Sequence, residues 1–247
     1  MKRQLIVLNT LVFSDYIKKG FKQEQLLEFV DKCNVSNIEV RREYIKELDS
    51  ELEAICKLSK KMNIKVFYSV PKTIFVDGKV DKENLNKYLK EAKQMNCTNV
   101  KLNIGDYENY KGDLKEDLKE IVDSNINITV ENDQTEQNGT YKNILRFLND
   151  CKTQSIDIGY VYDIGNWYWV SEDEIENAKQ LKEFTTYIHL KDIKKTNKGN
   201  MTLPLDKGNI KWREVMSILP KNIEVGLEYP CDDISLVQED IKKLLEL

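Results

Sequence analysis

Short apolar runs alternate along the chain with longer stretches in which Leu, Ile and Val recur every three or four residues. The short runs have the length of β-strands, and the longer stretches have the period of half-buried helices. The pattern predicts eight strands, QLIVLNT, NIEVRR, KVFYSV, NVKLNIG, NITVEND, DIGYVYDIG, YIHLKDI and IEVGLEYP. It also predicts eight helices, EQLLEFVDKC, LDSELEAICKLSKKM, KENLNKYLKEAKQM, LKEDLKEIVDS, YKNILRFLNDC, EDEIENAKQLKEF, KWREVMSIL and ISLVQEDIKKLLEL.

This alternation of strands and helices is typical of a parallel sheet joined by right-handed crossovers. Eight consecutive units predict an α/β fold, a closed (β/α)8 or TIM barrel, as a single domain over residues 1–247. The runs IVL and VFY are apolar on both faces, as a sheet covered by helices requires. A doubly wound open sheet is the alternative, but no GxGxxG motif follows the first strand.

Composition excludes some partners and suggests a compartment. The formal net charge is −4 and no basic block stands out, which disfavours nucleic acid as a partner. No window approaches 18 apolar residues, so no membrane span is predicted. The first apolar run is broken by Asn9 and is interpreted as a strand, not a signal peptide. The five cysteines form no CxxC pair, which favours free thiols and a cytoplasmic location.

Four polar residues interrupt apolar strands near their carboxyl ends: Glu131, Asp163, His189 and Glu228. They come from the fifth to eighth predicted strands and are spaced by about one strand–helix unit, roughly 30 residues. A barrel of this kind carries its chemistry at the carboxyl ends of its strands. We therefore expect these four side chains to lie close together.

The chemistry of this set predicts a metal site. Three carboxylates buried side by side repel one another and are costly to bury unpaired. A divalent cation between them removes that cost, and carboxylates with one imidazole form a mixed oxygen and nitrogen site. We expect one divalent ion, Mn²⁺, Mg²⁺, Co²⁺ or Zn²⁺. The cysteines lack the paired spacing of a structural zinc site.

Five short motifs carry a resemblance to a known family: TVEN (129–132), DIGN (163–166), HLKD (189–192), PLDKGNIKW (204–212) and GLEYP (226–230). Together they resemble the xylose-isomerase-like TIM barrel superfamily, which includes sugar phosphate isomerases and epimerases and relatives of AP endonuclease family 2. The resemblance implies that Glu131, Asp163, His189 and Glu228 bind one metal ion. It further implies that Glu131 and Glu228 act as acid and base on opposite faces of the substrate.

The resemblance thus implies a metal-dependent isomerase or epimerase of a small sugar, keto-sugar or sugar phosphate. Proton abstraction next to a carbonyl would give an enediolate that the metal stabilises. Further residues at the strand ends are candidates for substrate binding: Glu39, Arg41, Lys101, Asn103, Asn166, Trp167 and Lys191. The oligomeric state stays open.

The chain departs from the family pattern in three places, and these leave alternatives open. Asn166 stands where the family often has a histidine, and Ile193, Lys194 and Lys195 stand where many members have an arginine. Asp206 replaces the first glycine of the family's P-x-G-x-G-x-x-x-W loop. A lyase of the inosose or dehydroshikimate dehydratase type and a non-catalytic sugar-binding protein are the alternatives. A nuclease of the endonuclease IV type is disfavoured, because its zinc site needs several histidines and His189 is the only one here.

Overall fold

The computed structural model describes residues 1–197 and 199–247. It contains eleven strands in these residues: β1 (Ile6–Asn9), β2 (Asn37–Arg41), β3 (Lys65–Val76), β4 (Lys79–Val80), β5 (Asn99–Gly105), β6 (Asn127–Glu131), β7 (Gly159–Asp163), β8 (Thr185–Leu190), β9 (Asp192–Thr196), β10 (Gly199–Leu203) and β11 (Glu224–Leu227). Eight of them, all except β4, β9 and β10, are parallel neighbours. The circle closes because β1 pairs with both β2 and β11 and β2 pairs with β3. The predicted TIM barrel is confirmed.

Helices follow the barrel strands and cover the outside of the sheet. In the described residues they are α1 (Ser14–Lys18), α2 (Gln23–Lys32), α3 (Leu48–Met62), α4 (Lys82–Gln94), α5 (Leu114–Val122), α6 (Glu136–Gly139), α7 (Tyr141–Thr153), α8 (Glu174–Leu181), α9 (Trp212–Ile218) and α10 (Ile234–Leu245). All eight predicted helices are present. The short α1 and α6 were not predicted. None of the described helices combines the length and the apolarity needed to cross a membrane.

Aspartates begin several of these helices. The side chains of Asp81, Asp113, Asp173 and Asp233 accept hydrogen bonds from backbone N–H groups in the first turns of α4, α5, α8 and α10. These N–H groups have no partner inside their helix, so the capping carboxylate satisfies them and complements the helix dipole. The caps therefore help to place each helix start, and with it the loop that enters from the preceding strand.

Strand side chains alternate between two cores. Outward residues such as Ile6, Leu8, Val130 and Leu190 are fully buried against the helices and belong to the main hydrophobic core. Inward residues face the barrel axis, where a separate small cluster contains Val7, Phe67, Val161 and Tyr187. The next inward positions toward the carboxyl ends carry polar residues, because side chains on one face recur at every second position.

Two antiparallel hairpins extend beyond the barrel, and neither was predicted. The strand β3 continues past its predicted end at Val70, shifts register between Ser69 and Thr73, and pairs with β4 across a turn at Asp77 and Gly78. The predicted strand YIHLKDI is interrupted at Lys191, after which β9 and β10 form the second hairpin. An aspartate–glycine pair is a known hairpin signal, so the first of these could have been anticipated.

The loop between β10 and α9 is held by two aspartates. Asp192 accepts hydrogen bonds from the backbone N–H groups of Gly208 and Ile210, at 2.8 and 2.9 Å. Asp206 has φ +65°, a left-handed conformation that glycine favours and that aspartate tolerates. Its carboxylate accepts from Trp212 Nε1 at 2.9 Å and forms an ion pair with Arg213. The aspartate at the family's glycine position thus preserves the turn and adds contacts that fix it.

Candidate metal centre

The four strand-end residues meet inside the barrel. Glu131 and Asp163 end β6 and β7, His189 lies near the end of β8, and Glu228 follows β11. One ligand atom from each of the four lies within 4.8 Å of those from the other three. All four residues are buried, and Asp163 and His189 are fully inaccessible to solvent. The expected convergence is therefore seen, and it follows from inward alternation at one level of neighbouring parallel strands.

Carboxylates flank the ring of His189 on both sides. Its Nδ1 lies 2.6 Å from Glu131 Oε1 and 3.4 Å from Glu228 Oε2. Its Nε2 lies 2.8 Å from Glu39 Oε2, which also accepts from Asn9 Nδ2 and Tyr187 Oη. A carboxylate on one histidine nitrogen commonly orients the other nitrogen toward a metal. Nδ1 is thus the nitrogen available to an ion.

Asp163 presents one oxygen to the same point. Its Oδ1 accepts hydrogen bonds from the backbone N–H groups of Gly165 and Asn166, at 2.9 and 3.0 Å. Its Oδ2 is fully buried and has no hydrogen bond of ordinary geometry, although Lys191 Nζ lies 2.6 Å away. A buried oxygen without a hydrogen bond is costly unless another partner binds it. This oxygen converges with ligand atoms of the other three residues, so the donor atoms fit the expected ion.

Three cationic side chains surround the carboxylates. Lys101 contacts Glu131 Oε2. Arg41 lies 2.6 Å from Glu228 Oε1, and Lys191 lies 2.9 Å from Glu228 Oε2. These side chains also neutralise the buried carboxylates, a role that the sequence analysis gave to a divalent ion. The charge balance alone therefore does not require a metal, and the case for one rests on the donor geometry.

Burial and these cations set the protonation of the cluster. Burial raises the pKa of Asp163 to about 7, and Lys191 offsets only part of that effect. Burial acts in the same direction on Glu228, but Lys191, His189 and Lys101 outweigh it and hold the pKa of Glu228 well below its usual value. For Glu131 burial is likewise outweighed, chiefly by Lys101, and its pKa is lowered. The two glutamates are therefore ionised at neutral pH.

The cluster opens into a cavity of about 730 Å³ at the carboxyl ends of the strands. Both candidate acid–base residues, Glu131 and Glu228, line it, whereas Asp163 and His189 lie beneath its surface. Five of the residues expected to bind substrate also line it: Arg41, Lys101, Asn103, Asn166 and Lys191. The β9–β10 hairpin contributes Asn200, Met201 and Thr202 to the mouth.

Two residues expected to bind substrate lie elsewhere. Glu39 is fully buried below the cavity, against His189. Trp167 is fully buried and packs on Tyr162, with ring centroids 5.6 Å apart, while Trp169 lines the cavity. Sequence alternation could not separate these tryptophans, because Asn166–Tyr168 form a 3-10 turn and not a strand. The role of Asn9, which donates to both Glu39 and Glu228, was also missed.

Comparison with known proteins identifies the family. The model of the family described as xylose isomerase-like TIM barrel matches residues 77–247, more than half of the chain. The chain belongs to this family. The resemblance inferred from the five motifs is thereby confirmed. No curated protein matches the chain in sequence.

Solved structures share the fold at low sequence identity. The probable 3-DHS dehydratase AsbF from Bacillus anthracis has a TM-score of 0.75 at 13% identity, covering 97% of this chain and 98% of that one. The IolI protein with a bound zinc atom has a TM-score of 0.66 at 15% identity, covering 98% and 95%. D-psicose 3-epimerase, solved in the presence of D-fructose, has a TM-score of 0.66 at 14% identity, covering 98% and 96%. At these identities the likeness shows the fold.

Proposed function

We propose that the chain is a divalent-metal-dependent isomerase or epimerase that acts on a small keto-sugar. The observation that carries the proposal is that two residues of the four-residue cluster reach the cavity and two lie below it. Glu131 and Glu228 reach the cavity, while Asp163 and His189 lie below it and complete a set of converging donor atoms. Two ionised carboxylates beside a metal site are the groups needed to move a proton at a carbon next to a carbonyl.

Each part of the cavity has a role in this reaction. A divalent ion held by Glu131, Asp163, His189 and Glu228 would supply Lewis-acid stabilisation of the negative charge on the substrate oxygens. One of the two glutamates removes the proton from carbon. The other gains a proton from solvent and delivers it at the opposite face or the adjacent atom, and the first glutamate then releases its proton to solvent. Lys101 and Arg41 contact these glutamates and fix their orientation. Asn103 and Asn166 offer amide groups to substrate hydroxyls.

The ion pairs favour a substrate without a phosphate group. Arg41, Lys101 and Lys191, the cations that line the cavity among the described residues, all contact carboxylates of the cluster. A phosphate carries close to two negative charges and usually needs unpaired arginine or lysine side chains. The five free cysteines are consistent with a cytoplasmic site of action, which we also propose.

Loss of water from the same deprotonated substrate is the second candidate, and Lys191 favours it. Its ammonium lies 2.9 Å from Glu228 Oε2 and lines the cavity. After Glu228 removes a proton from carbon, the C–O bond at the neighbouring carbon would break. The hydroxyl would leave as water with the proton donated by Lys191. The chain would then be a dehydratase on the same site.

The metal is tested first, by elemental analysis after loading with Mn²⁺ and removal of free ion. We expect one ion per chain in the wild type and loss of that ion in His189→Ala. Cys56→Ser is the matched control, because Cys56 is the least buried of the free cysteines and lies outside the cluster. Three ions per chain, or none in a folded wild type, would contradict the proposal.

The reaction is tested in D₂O with a panel of ketoses and cyclic polyol ketones. An isomerase or epimerase incorporates deuterium at carbon and keeps the oxygen content of its substrate. A dehydratase releases water from the substrate. Binding of a sugar without either change, with every metal tried, would reject both reactions and favour a sugar-binding protein.

A further inference from the structure

Lys191 is buried in the site and contacts the candidate metal ligands themselves. It follows β8, and it contacts the same glutamate oxygen, Glu228 Oε2, that His189 Nδ1 faces. Its ammonium is 2.6 Å from Asp163 Oδ2 and 2.9 Å from Glu228 Oε2, and its side chain is only 6% exposed. One ammonium thus contacts two of the four candidate metal ligands.

The two oxygens that Lys191 contacts are those left for an ion. Asp163 Oδ1 already accepts hydrogen bonds from two backbone N–H groups. Glu228 Oε1 already accepts from Asn9 at 3.2 Å and from Arg41 at 2.6 Å. Asp163 Oδ2 and Glu228 Oε2 are the remaining oxygens, and a cation bound by both residues must share them with Lys191.

Lys101 offers an internal comparison. It is as deeply buried as Lys191 and also contacts a carboxylate of the cluster. It contacts Glu131 Oε2, however, while the other oxygen of that carboxylate, Oε1, faces His189 Nδ1. Lys101 therefore neutralises Glu131 without contacting the oxygen that faces the centre of the cluster. The two lysines carry equal charge and differ in which oxygens they contact.

The chain leaves space for the Lys191 stem. A Cβ at Gly165 would lie 2.4 Å from Lys191 Cγ and 2.8 Å from Lys191 Cδ, far inside van der Waals contact. Gly165 has φ −84° and ψ −24°, which any residue can adopt, so the backbone conformation does not require glycine there. The glycine of the DIGN motif is needed because the Lys191 side chain occupies the space where a Cβ would lie.

We infer that Lys191 is the built-in counter-cation of the metal site, held on the ligand oxygens of Asp163 and Glu228. This inference rests on the metal site of the proposed function. In the metal-free protein the ammonium pairs with carboxylates that would otherwise repel one another. When an ion binds, the ammonium shares these oxygens with it and opposes it by like charge. The site is then stable without metal and binds the ion reversibly.

The test is the affinity for Mn²⁺, measured by titration calorimetry on chelator-treated protein. Lys191→Met removes the ammonium and keeps most of the stem volume. We expect it to bind Mn²⁺ at least about tenfold more tightly than the wild type, because a like charge near the ion is gone. Lys101→Met removes the same charge from the same cluster and should tighten binding by clearly less. In chelator, Lys191→Met should melt below the wild type, and Mn²⁺ should close that gap.

Gly165→Ala provides a second variant that keeps the lysine charge. The added methyl group displaces the Lys191 stem, so Mn²⁺ affinity should change in the same direction as in Lys191→Met. Equal effects of Lys191→Met and Lys101→Met, weaker binding in Lys191→Met, or no Mn²⁺ binding by any variant would overturn the inference. The affinity difference between Lys191→Met and Lys101→Met could be found while the wild type catalyses no deuterium exchange. That result would reject the proposed function and retain the inference.

Discussion

The two faces of the barrel strands meet different demands. On the outward face, residues such as Leu8 and Val130 are fully buried against helices and are uniformly apolar. On the inward face, the positions next to them carry Asn9 and Glu131, which take part in the charged cluster. A shift of one residue in register would exchange these faces. The outward face thus determines the fold, and its largely apolar character leaves the inward face free to carry chemistry.

The inward face itself is divided into two levels. The upper level holds the carboxylates and their cations, while Val7, Phe67, Val161 and Tyr187 form an apolar level below it. Tyr187 joins the two, because its ring packs on Phe67 and its hydroxyl donates to Glu39 at 3.1 Å. The apolar level lies beneath the site, whereas the cavity opens at the carboxyl ends of the strands.

The largest expected effect comes from the inward face. Glu131→Gln keeps the size of the side chain and an oxygen ligand but removes one carboxylate of the proposed acid–base pair. We expect proton exchange with D₂O to fall by roughly 10²–10⁴-fold, the usual contribution of such catalysis. Exchange rates are compared at saturating Mn²⁺, and the melting temperature should stay near that of the wild type. An unchanged rate would remove Glu131 from the reaction.

The outward face should show the opposite behaviour. Leu8→Ala removes a fully buried side chain between the sheet and the helices. Lost burial and the residual cavity should lower the free energy of unfolding by about 2–5 kcal/mol. Urea denaturation measures this loss, and Mn²⁺ titration of the folded variant should give wild-type affinity. A large loss of Mn²⁺ affinity would show that the two faces are not independent.

Glu39 tests the level beneath the cavity. Glu39→Gln removes the charge that orients His189 from the Nε2 side. Loss of such a partner typically weakens metal binding by about 10–100-fold. Mn²⁺ affinity measures the effect, and Tyr187→Phe, which removes one hydrogen bond to the same carboxylate, is the control with a smaller expected loss. Equal losses in both variants would indicate a packing defect.

The smallest expected effect lies at a helix start far from the cluster. Asp173→Ala removes the cap of α8 and should lower the free energy of unfolding by about 1 kcal/mol. The backbone N–H of Glu176 is the main cause that holds the pKa of Asp173 below 3.8. The contribution should therefore be present above about pH 4 and disappear as the pH falls further. Urea denaturation at pH 7 and pH 3 measures the difference, with Mn²⁺ affinity unchanged.

The sequence was sufficient for the barrel because apolar periodicity directly reflects burial. All eight strands and eight helices were located, and the four ligand candidates could be found because polar residues such as Asp163 interrupt apolar strands. The hairpin β9–β10 escaped prediction because the run YIHLKDI contains no glycine or proline to mark the break at Lys191, between β8 and β9. Their direction changes through tertiary contacts of Asp192 with the following loop.

The contacts between side chains within the site could not be predicted from the pattern of apolar and polar residues. Spacing places Lys101, Lys191 and Arg41 near the strand ends, but it does not say whether they face substrate or one another. That choice depends on side-chain directions across the barrel, such as the 2.6 Å contact between Arg41 and Glu228, which are 187 residues apart in the chain. The same limit explains why Glu39 was assigned to the substrate and not to His189.

The position of His189 gives the protein a histidine probe inside the cluster. The chain contains no second histidine, so its imidazole nitrogens give one pair of ¹⁵N resonances that need no assignment by mutagenesis. One nitrogen faces the ligand oxygens and the other faces Glu39, so the pair of signals would report a change on either side of the ring.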